Sequence, residues 1–233
     1  MTSTALKAGD QVILEHDQLQ KLFETLVSRG YSLKGPTVRE NAIVYDDIAS
    51  VSDLPVGWTD EQDGGTYRLK RGESNAVFGF TCGPQSWKQF LHPPTLTLWQ
   101  AERDGDSFNI VRDTSEPPRF AFIGVRPCEL QAITLQDNIF LHGKYVDPTY
   151  RLRRENVFIV AVNCTKAGGT CFCASMGSGP CAKSGFDIAL TEVGDDGKHC
   201  FVAAGGTVRG AGVLSATPHR KASKPETEAA QQA

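Results

Sequence analysis

The sequence predicts a mixed α/β protein, with antiparallel strands and a helix in its N-terminal half and a βαβ unit carrying cysteines at its strand ends in the C-terminal half. Three observations point there. An amphipathic period runs near residue 20, short β-branched and aromatic runs punctuated by Pro, Gly and Asp follow, and two nearly all-apolar runs stand roughly thirty residues apart further on.

The elements follow in order. Asp17 is placed to cap a helix whose Leu19, Leu22, Phe23, Leu26 and Val27 fall at helical spacing, with Gly30 as its stop signal. Residues 42–48 (AIVYDDI), 66–71 (TYRLKR) and 76–81 (AVFGFT) read as strands. Pro93-Pro94 and Pro117-Pro118 bracket a segment that reads as a hairpin turning at Asp104-Gly105. Residues 120–125 (FAFIGV) and 157–163 (VFIVAVN) are apolar without alternation, as strands covered on both faces would be. Between them, Leu130, Ile133, Ile139 and Phe140 mark a covering helix over 129–140, and this spacing makes the two strands parallel. Residues 1–218 are expected to form one domain. From His219 the sequence is polar, contains proline and lacks branched aliphatic or aromatic residues, which predicts a disordered tail or linker over 219–233.

Composition excludes several classes. At 233 residues the chain is long enough for a hydrophobic core without disulfide staples. The 24 Lys+Arg against 27 Asp+Glu give a net charge of -3, which lacks the positive field that nucleic-acid binding needs. The longest apolar run, Val157–Val162, is far below the roughly 20 residues of a membrane span, so no membrane insertion is expected. No secretory signal is visible in MTSTALKAGDQ, and a reducing cytoplasm is the expected compartment. Seven cysteines there call for metal or redox chemistry rather than disulfides.

Parallel strands end on one side of their sheet, and both apolar strands run into a cysteine: GVRPC gives Cys128 and VNC gives Cys164. Pro127 sets Cys128 in the first turn of the next helix, where free N–H groups and the helix dipole favour a thiolate. The glycine-rich AGGTCFCASMGSGP then supplies Cys171 and Cys173 in a loop able to fold back over the strand ends. Four thiolates suit a tetrahedral ion or a [4Fe–4S] cube. The residues favour the cube, because the C-x(2–4)-C pairs of structural zinc sites are absent and the loop is dense in backbone N–H groups, with Arg126 and Lys166 as balancing charge. A zinc-stabilised structural subunit and a thiol–disulfide protein using Cys171 and Cys173 are the competing readings. Cys82, Cys181 and Cys200 stand apart from this arrangement and read as small buried apolar residues.

The segments GVRPCEL, DPTYRLRRENVFIVAVNCT, GGTCFCASMGSGP and GFDIALTEVG resemble the N-terminal region of the sulfhydrogenase β subunit family. These are subunits of cytoplasmic NAD(P)-linked nickel–iron hydrogenases, and the related anaerobic sulfite reductase A subunits share the pattern. GPQSWKQFLHPP and VSDLPVGWTDEQDGGTYRL are similar to the same family, so the resemblance extends to about Pro218. It implies a non-catalytic, electron-transferring iron–sulfur subunit of an oxidoreductase. Its partners would be a flavoprotein that oxidises NAD(P)H and a nickel–iron hydrogenase or sulfite reductase subunit. It also implies that Cys128, Cys164, Cys171 and Cys173 hold one [4Fe–4S] cluster, with Cys82 and Cys181 outside the pattern. Family members usually continue into a ferredoxin-like domain with CxxCxxCxxxCP runs, whereas this sequence runs into its polar tail.

Other signals are weaker. Asp187 and Glu192 flank an apolar run and read as a solvated strand flank rather than an acid–base pair. His92 and His219 read as surface or turn residues, and Trp58, Trp87 and Trp99 as core or interface anchors. No GxGxxG, GxxxxGK[ST] or GxSxG motif is present.

Overall fold

The computed structural model describes residues 5–72, 74–112, 116–195 and 198–232. Its centre is formed by the two apolar runs, β8 (Phe120–Val125) and β9 (Phe158–Val162), paired in parallel as their spacing predicts. On the β8 side lie β2 (Ser32–Arg39) and then β3 (Ala42–Asp47). On the β9 side lie β10 (Ile188–Asp195), β11 (Lys198–Gly205), β1 (Gln11–Glu15) and the short β12 (Arg220–Lys221). The four central strands β2, β8, β9 and β10 run parallel, and the outer pairings are antiparallel. The mixed α/β class is thus realised in one eight-stranded sheet that interleaves both halves of the sequence.

Alternate residues of β9 explain the layers. Phe158, Val160 and Val162 enter one core, whereas Ile159 and Ala161 enter the other, so neither face of the strand meets water. The first core is closed by α1 (Gln18–Ser28), through Leu19, Leu22, Phe23 and Leu26, and by α5 (Val208–Ala216), through Val213 and Leu214. The second is closed by α2 (Lys88–Leu91), α3 (Pro127–Phe140) and α4 (Pro148–Asn156), which contribute Leu91, Leu130, Ile133 and Tyr150 around Trp87. The apolar stripes are narrower than their periodicity implies, since Val27 and Ile139 face solvent. The β8–β9 crossover holds a second helix, α4, started by Asp147, whose carboxylate accepts from the Thr149 and Tyr150 N–H groups. No helix among the described residues is long and apolar enough to cross a membrane.

Two hairpins stand outside the large sheet. One pairs β4 (Trp58–Asp63) with β5 (Thr66–Arg71), and the other pairs β6 (Trp99–Asp104) with β7 (Ser107–Arg112). The second turns at Gly105-Asp106, one residue later than expected, because Gly105 takes the positive φ of +60° and Asp104 still pairs with Ser107. Trp99 is exposed on it, whereas Trp87 is core.

Residues 76–81 are irregular rather than a strand, although Val77, Phe78 and Phe80 are buried. Their backbone groups are claimed by side chains instead of a neighbouring strand. Glu192 accepts from Val77 N at 2.6 Å and Phe78 N at 2.9 Å, Asp60 accepts from Thr81 N at 2.7 Å, and Arg126 donates to the Phe78 and Phe80 carbonyls. The polar C-terminal segment also departs from its expectation, forming β12 and α6 (Lys224–Gln232). Glu226 accepts from Ser223 N–H and pairs with Arg220, which also reaches Glu15, so ion pairs supply what the missing apolar residues do not.

Asp187 and Glu192 are buried, not solvated. Asp187 accepts from Ile159 N–H, Thr207 hydroxyl and Arg209, tying β9 to the start of α5. Asp187→Ala leaves Ile159 N–H without its acceptor and the half-buried Arg209 with only the Val157 carbonyl, and it should destabilise the fold by about 2–3 kcal/mol in urea unfolding. Arg220 holds the Glu226 carboxyl at about 2, below its ordinary 4.5. A depressed carboxyl stabilises above its unfolded value and loses that contribution as pH falls. Amide protection of α6 should therefore fade between about pH 4.5 and about 2, before that of β9, and high salt should weaken it because the pair is exposed.

Candidate functional site

The end of β8 is turned by a bulge between Ile123 and Val125. Gly124 at its centre has φ +87°, and a Cβ there would stand 3.1 Å from the Phe78 ring, so only glycine combines this twist with this contact. The next residue, Arg126, is 2% exposed. Its guanidinium donates to Phe78 O at 2.7 Å, Phe80 O at 2.8 Å and Asn163 O at 3.3 Å, and it lies 5.0 Å from the centre of the Phe80 ring. All these acceptors are neutral, and Arg126 Nε has no partner among the described residues. A buried cation therefore joins three segments, and each of them leads into a cysteine: Cys82, Cys128 and Cys164.

The four cysteines expected to act together lie near one another beyond the ends of the central strands β8 and β9. Cys128 is the second residue of α3, with Pro127 ahead of it as anticipated. Cys164 follows β9 by two residues, and its N–H donates to Pro180 O at 3.1 Å, closing the glycine-rich loop. Cys171 Sγ accepts from Gly168 N–H at 3.3 Å. Cys173 packs against Gly179, where a Cβ would meet its Sγ at 3.1 Å and Pro127 Cβ at 3.8 Å, which puts Cys173 beside the start of α3. Burial pushes the Cys164 thiol up to about 11, opposed by Arg126 and reinforced by the charges of Cys128, Cys173 and Cys171. Among the described residues, no group of three or more His, Cys, Asp or Glu side chains is gathered closely enough to hold a single metal ion.

The loop is clamped onto β4. A Cβ on Gly169 would stand 2.3 Å from Gln62 O, a separation no side chain tolerates. Gln62 joins the two sides, donating to Asp60, Thr81 and Cys82 O and accepting from Thr170. Lys166 donates to Thr59 at the surface, so of the two expected balancing charges only Arg126 is buried.

Cys82 is not isolated as its position in the sequence implied. Its Sγ lies 3.5 Å from Cys128 Sγ. Their mutual hydrogen bond, the largest influence on both, holds the Cys128 thiol below and the Cys82 thiol above the ordinary range, with burial adding to the rise at Cys82. Glu129 lies beneath them, its carboxyl raised by burial while it accepts from Tyr45 hydroxyl and Arg126 N–H. Of the other cysteines, Cys181 is exposed and Cys200 is buried at the β11–β1 pairing.

Sequence reasoning missed Cys82, Asp60, Gln62 and the Glu192–His199 contact. Cys82, Asp60 and Gln62 gain partners from segments about twenty or more residues away, which no local pattern announces, and the Glu192–His199 contact depends on the register of the β10–β11 hairpin. His92 stacks on Phe140 and His219 contacts Thr217 O, consistent with local structural roles. A polar cavity of about 520 Å³ lies at the opposite edge of the sheet, lined by Arg154, Lys183, Phe186, Asp187 and Arg209. Its two arginines are already held by carboxylates, Arg154 by Asp137 and Arg209 by Asp187.

The donor set at the cysteine edge fits an anionic group held by thiolates. It combines soft sulfur ligands, a buried guanidinium whose side-chain hydrogen bonds go to neutral carbonyls, and a loop pinned close by glycines. The chain is similar to the sulfhydrogenase 2 subunit beta of Pyrococcus furiosus. The two are 34% identical over 108 residues, which is 46% of this chain and 30% of that protein. The matched region thus spans less than a third of that relative. No family model matches the chain, and no solved structure does.

Gly169→Ala should lift the glycine-rich loop from β4 while leaving the sheet intact. Limited proteolysis should then cut within 165–180 at least several-fold faster, with an unchanged far-UV circular dichroism spectrum.

Proposed function

We propose that this chain is an iron–sulfur electron-transfer subunit of an oxidoreductase, holding one [4Fe–4S] cluster through Cys128, Cys164, Cys171 and Cys173. The observation that carries this reading is the gathering of these thiols where β8 and β9 end: Cys164 feels the charges of Cys128, Cys173 and Cys171, and also that of the buried Arg126 guanidinium, whose hydrogen bonds go to neutral carbonyls. Thiolates and the sulfides of a cluster would add negative charge beside this cation, next to the buried Glu129 carboxyl that already faces it. When bound, the cluster would supply one-electron transfer, with no bond made or broken on a substrate by this chain.

The chain's own residues set the conditions. Pro127 presents Cys128 on the first turn of α3, where the dipole favours negative charge. Arg126 supplies a buried positive charge close to Cys164, and the loop 165–180 brings Cys173 beside the start of α3 and carries the exposed Cys171. The similarity to a protein described as a sulfhydrogenase subunit supports membership of a multisubunit complex. By that analogy the partners are a flavoprotein that oxidises NAD(P)H and a nickel–iron hydrogenase or sulfite reductase subunit, with the cytoplasm as the compartment.

Anaerobically purified or reconstituted protein should be brown and contain about four iron and four acid-labile sulfide per chain. Cys→Ser at any of the four positions should lower both contents together. Colourless protein carrying one zinc per chain would replace the electron-transfer reading with a structural one. Arg126→Met should retain little cluster even where the fold survives, because the charge balance is lost.

A further inference from the structure

We propose that Cys82 and Cys128 form a reversible disulfide in the chain that carries no cluster, and that this bond withholds Cys128 from iron. The second half rests on the cluster reading; the first stands on geometry alone. The two sulfurs are 3.5 Å apart although they come from segments 46 residues apart in sequence. A disulfide needs about 2.05 Å between sulfurs, so closure asks for a movement of about 1.5 Å, within the reach of small side-chain rotations.

Separate ties hold the two sides of the pair. Thr81 is bound to Asp60 through both its N–H and its hydroxyl, and Gln62 holds the Cys82 carbonyl. Arg126 joins the Phe78 and Phe80 carbonyls to the residue two before Cys128. Glu129 fixes the start of α3 by accepting from Arg126 N–H. The pair is thus brought into contact by the fold, without a metal or a third thiol. Neither cysteine is fully buried, so a small oxidant has a path to the pair. Four other assignments already complete a cube, which leaves Cys82 as a fifth thiol touching one of them.

The chemistry is thiol–disulfide exchange with a low-molecular-weight disulfide such as oxidised glutathione. One cysteine thiolate attacks a glutathione sulfur and breaks its S–S bond, releasing one glutathione thiolate and leaving a mixed disulfide. The other cysteine thiolate then attacks the protein sulfur of that bond and expels the second glutathione. The two cysteines lose two electrons, oxidised glutathione gains them, and the two thiol protons end on the two glutathione products.

The test uses the full chain, freed of iron and fully reduced, then treated anaerobically with oxidised glutathione, alkylated and digested. Mass spectrometry should find the Cys82 and Cys128 peptides joined, lighter by two hydrogens than their sum. The oxidised chain should fail to take up iron and sulfide until dithiothreitol is added. Cys82→Ser and Cys82→Ala, checked for folding by circular dichroism, should lose the link, keep as a mixed disulfide any glutathione that Cys128 takes up because no second thiol expels it, and when reduced load iron as fully as reduced wild type. No Cys82–Cys128 peptide in wild type, or a Cys171–Cys173 link in its place, overturns the proposal without reference to any variant. Folded Cys82 variants that cannot load iron when reduced overturn it by making Cys82 a ligand. If reduced wild type loads no iron although the link forms, the cluster reading and the withholding of Cys128 both fall while the disulfide stands.

Discussion

The buried guanidinium of Arg126 is the constraint on which the rest of this edge depends. Burying a cation is expensive unless its donors are met and its charge is answered. The donors are met by carbonyls of residues 78, 80 and 163, and this binds three distant segments to the end of β8. The charge is not answered by any of those acceptors. The charge is felt instead by the buried Glu129 carboxyl and by the Cys82 and Cys164 thiols, so the same cation that ties these segments together also bears on the titratable groups they carry.

The irregular stretch 76–82 follows from the same arrangement. A β-strand must spend its N–H and C=O groups on neighbours, but here Glu192, Asp60 and Arg126 take them individually. The segment is freed to bend, and Cys82 comes to lie against α3 rather than pointing alternately into and out of a sheet. Side-chain capture of the main chain thus serves in this region the purpose that ladder bonds serve in β8 and β9.

What was legible in the sequence was local. The absence of alternation in 120–125 and 158–162 reports two covered faces, and the parallel pairing, the helix between and the placing of Cys128 and Cys164 on one side all follow from it. The folding back of the loop that carries Cys171 and Cys173 was legible through its glycines, although the reason for those glycines, the close approach to Gln62 and Thr81, was not. Cys82 was illegible because its meaning is created by a hydrogen-bonding residue more than forty positions away. The AVFGFT run has every composition cue of a strand, and only the tertiary claims of three charged side chains override them. The polar ending misled for a related reason: α6 is held by Arg220 and Glu226, and hydrophobicity patterns are blind to that.

The position of β1 carries a last consequence. This strand, among the first residues described, lies between β11 and β12, among the last. On the ribosome it has no hydrogen-bonding neighbour in the sheet until residues 198–205 have emerged, so its edges stay unpaired while all the strands between are made. Closure of the sheet is therefore a late, long-range event, and the crossover holding Cys128 and Cys164 can assemble well ahead of it.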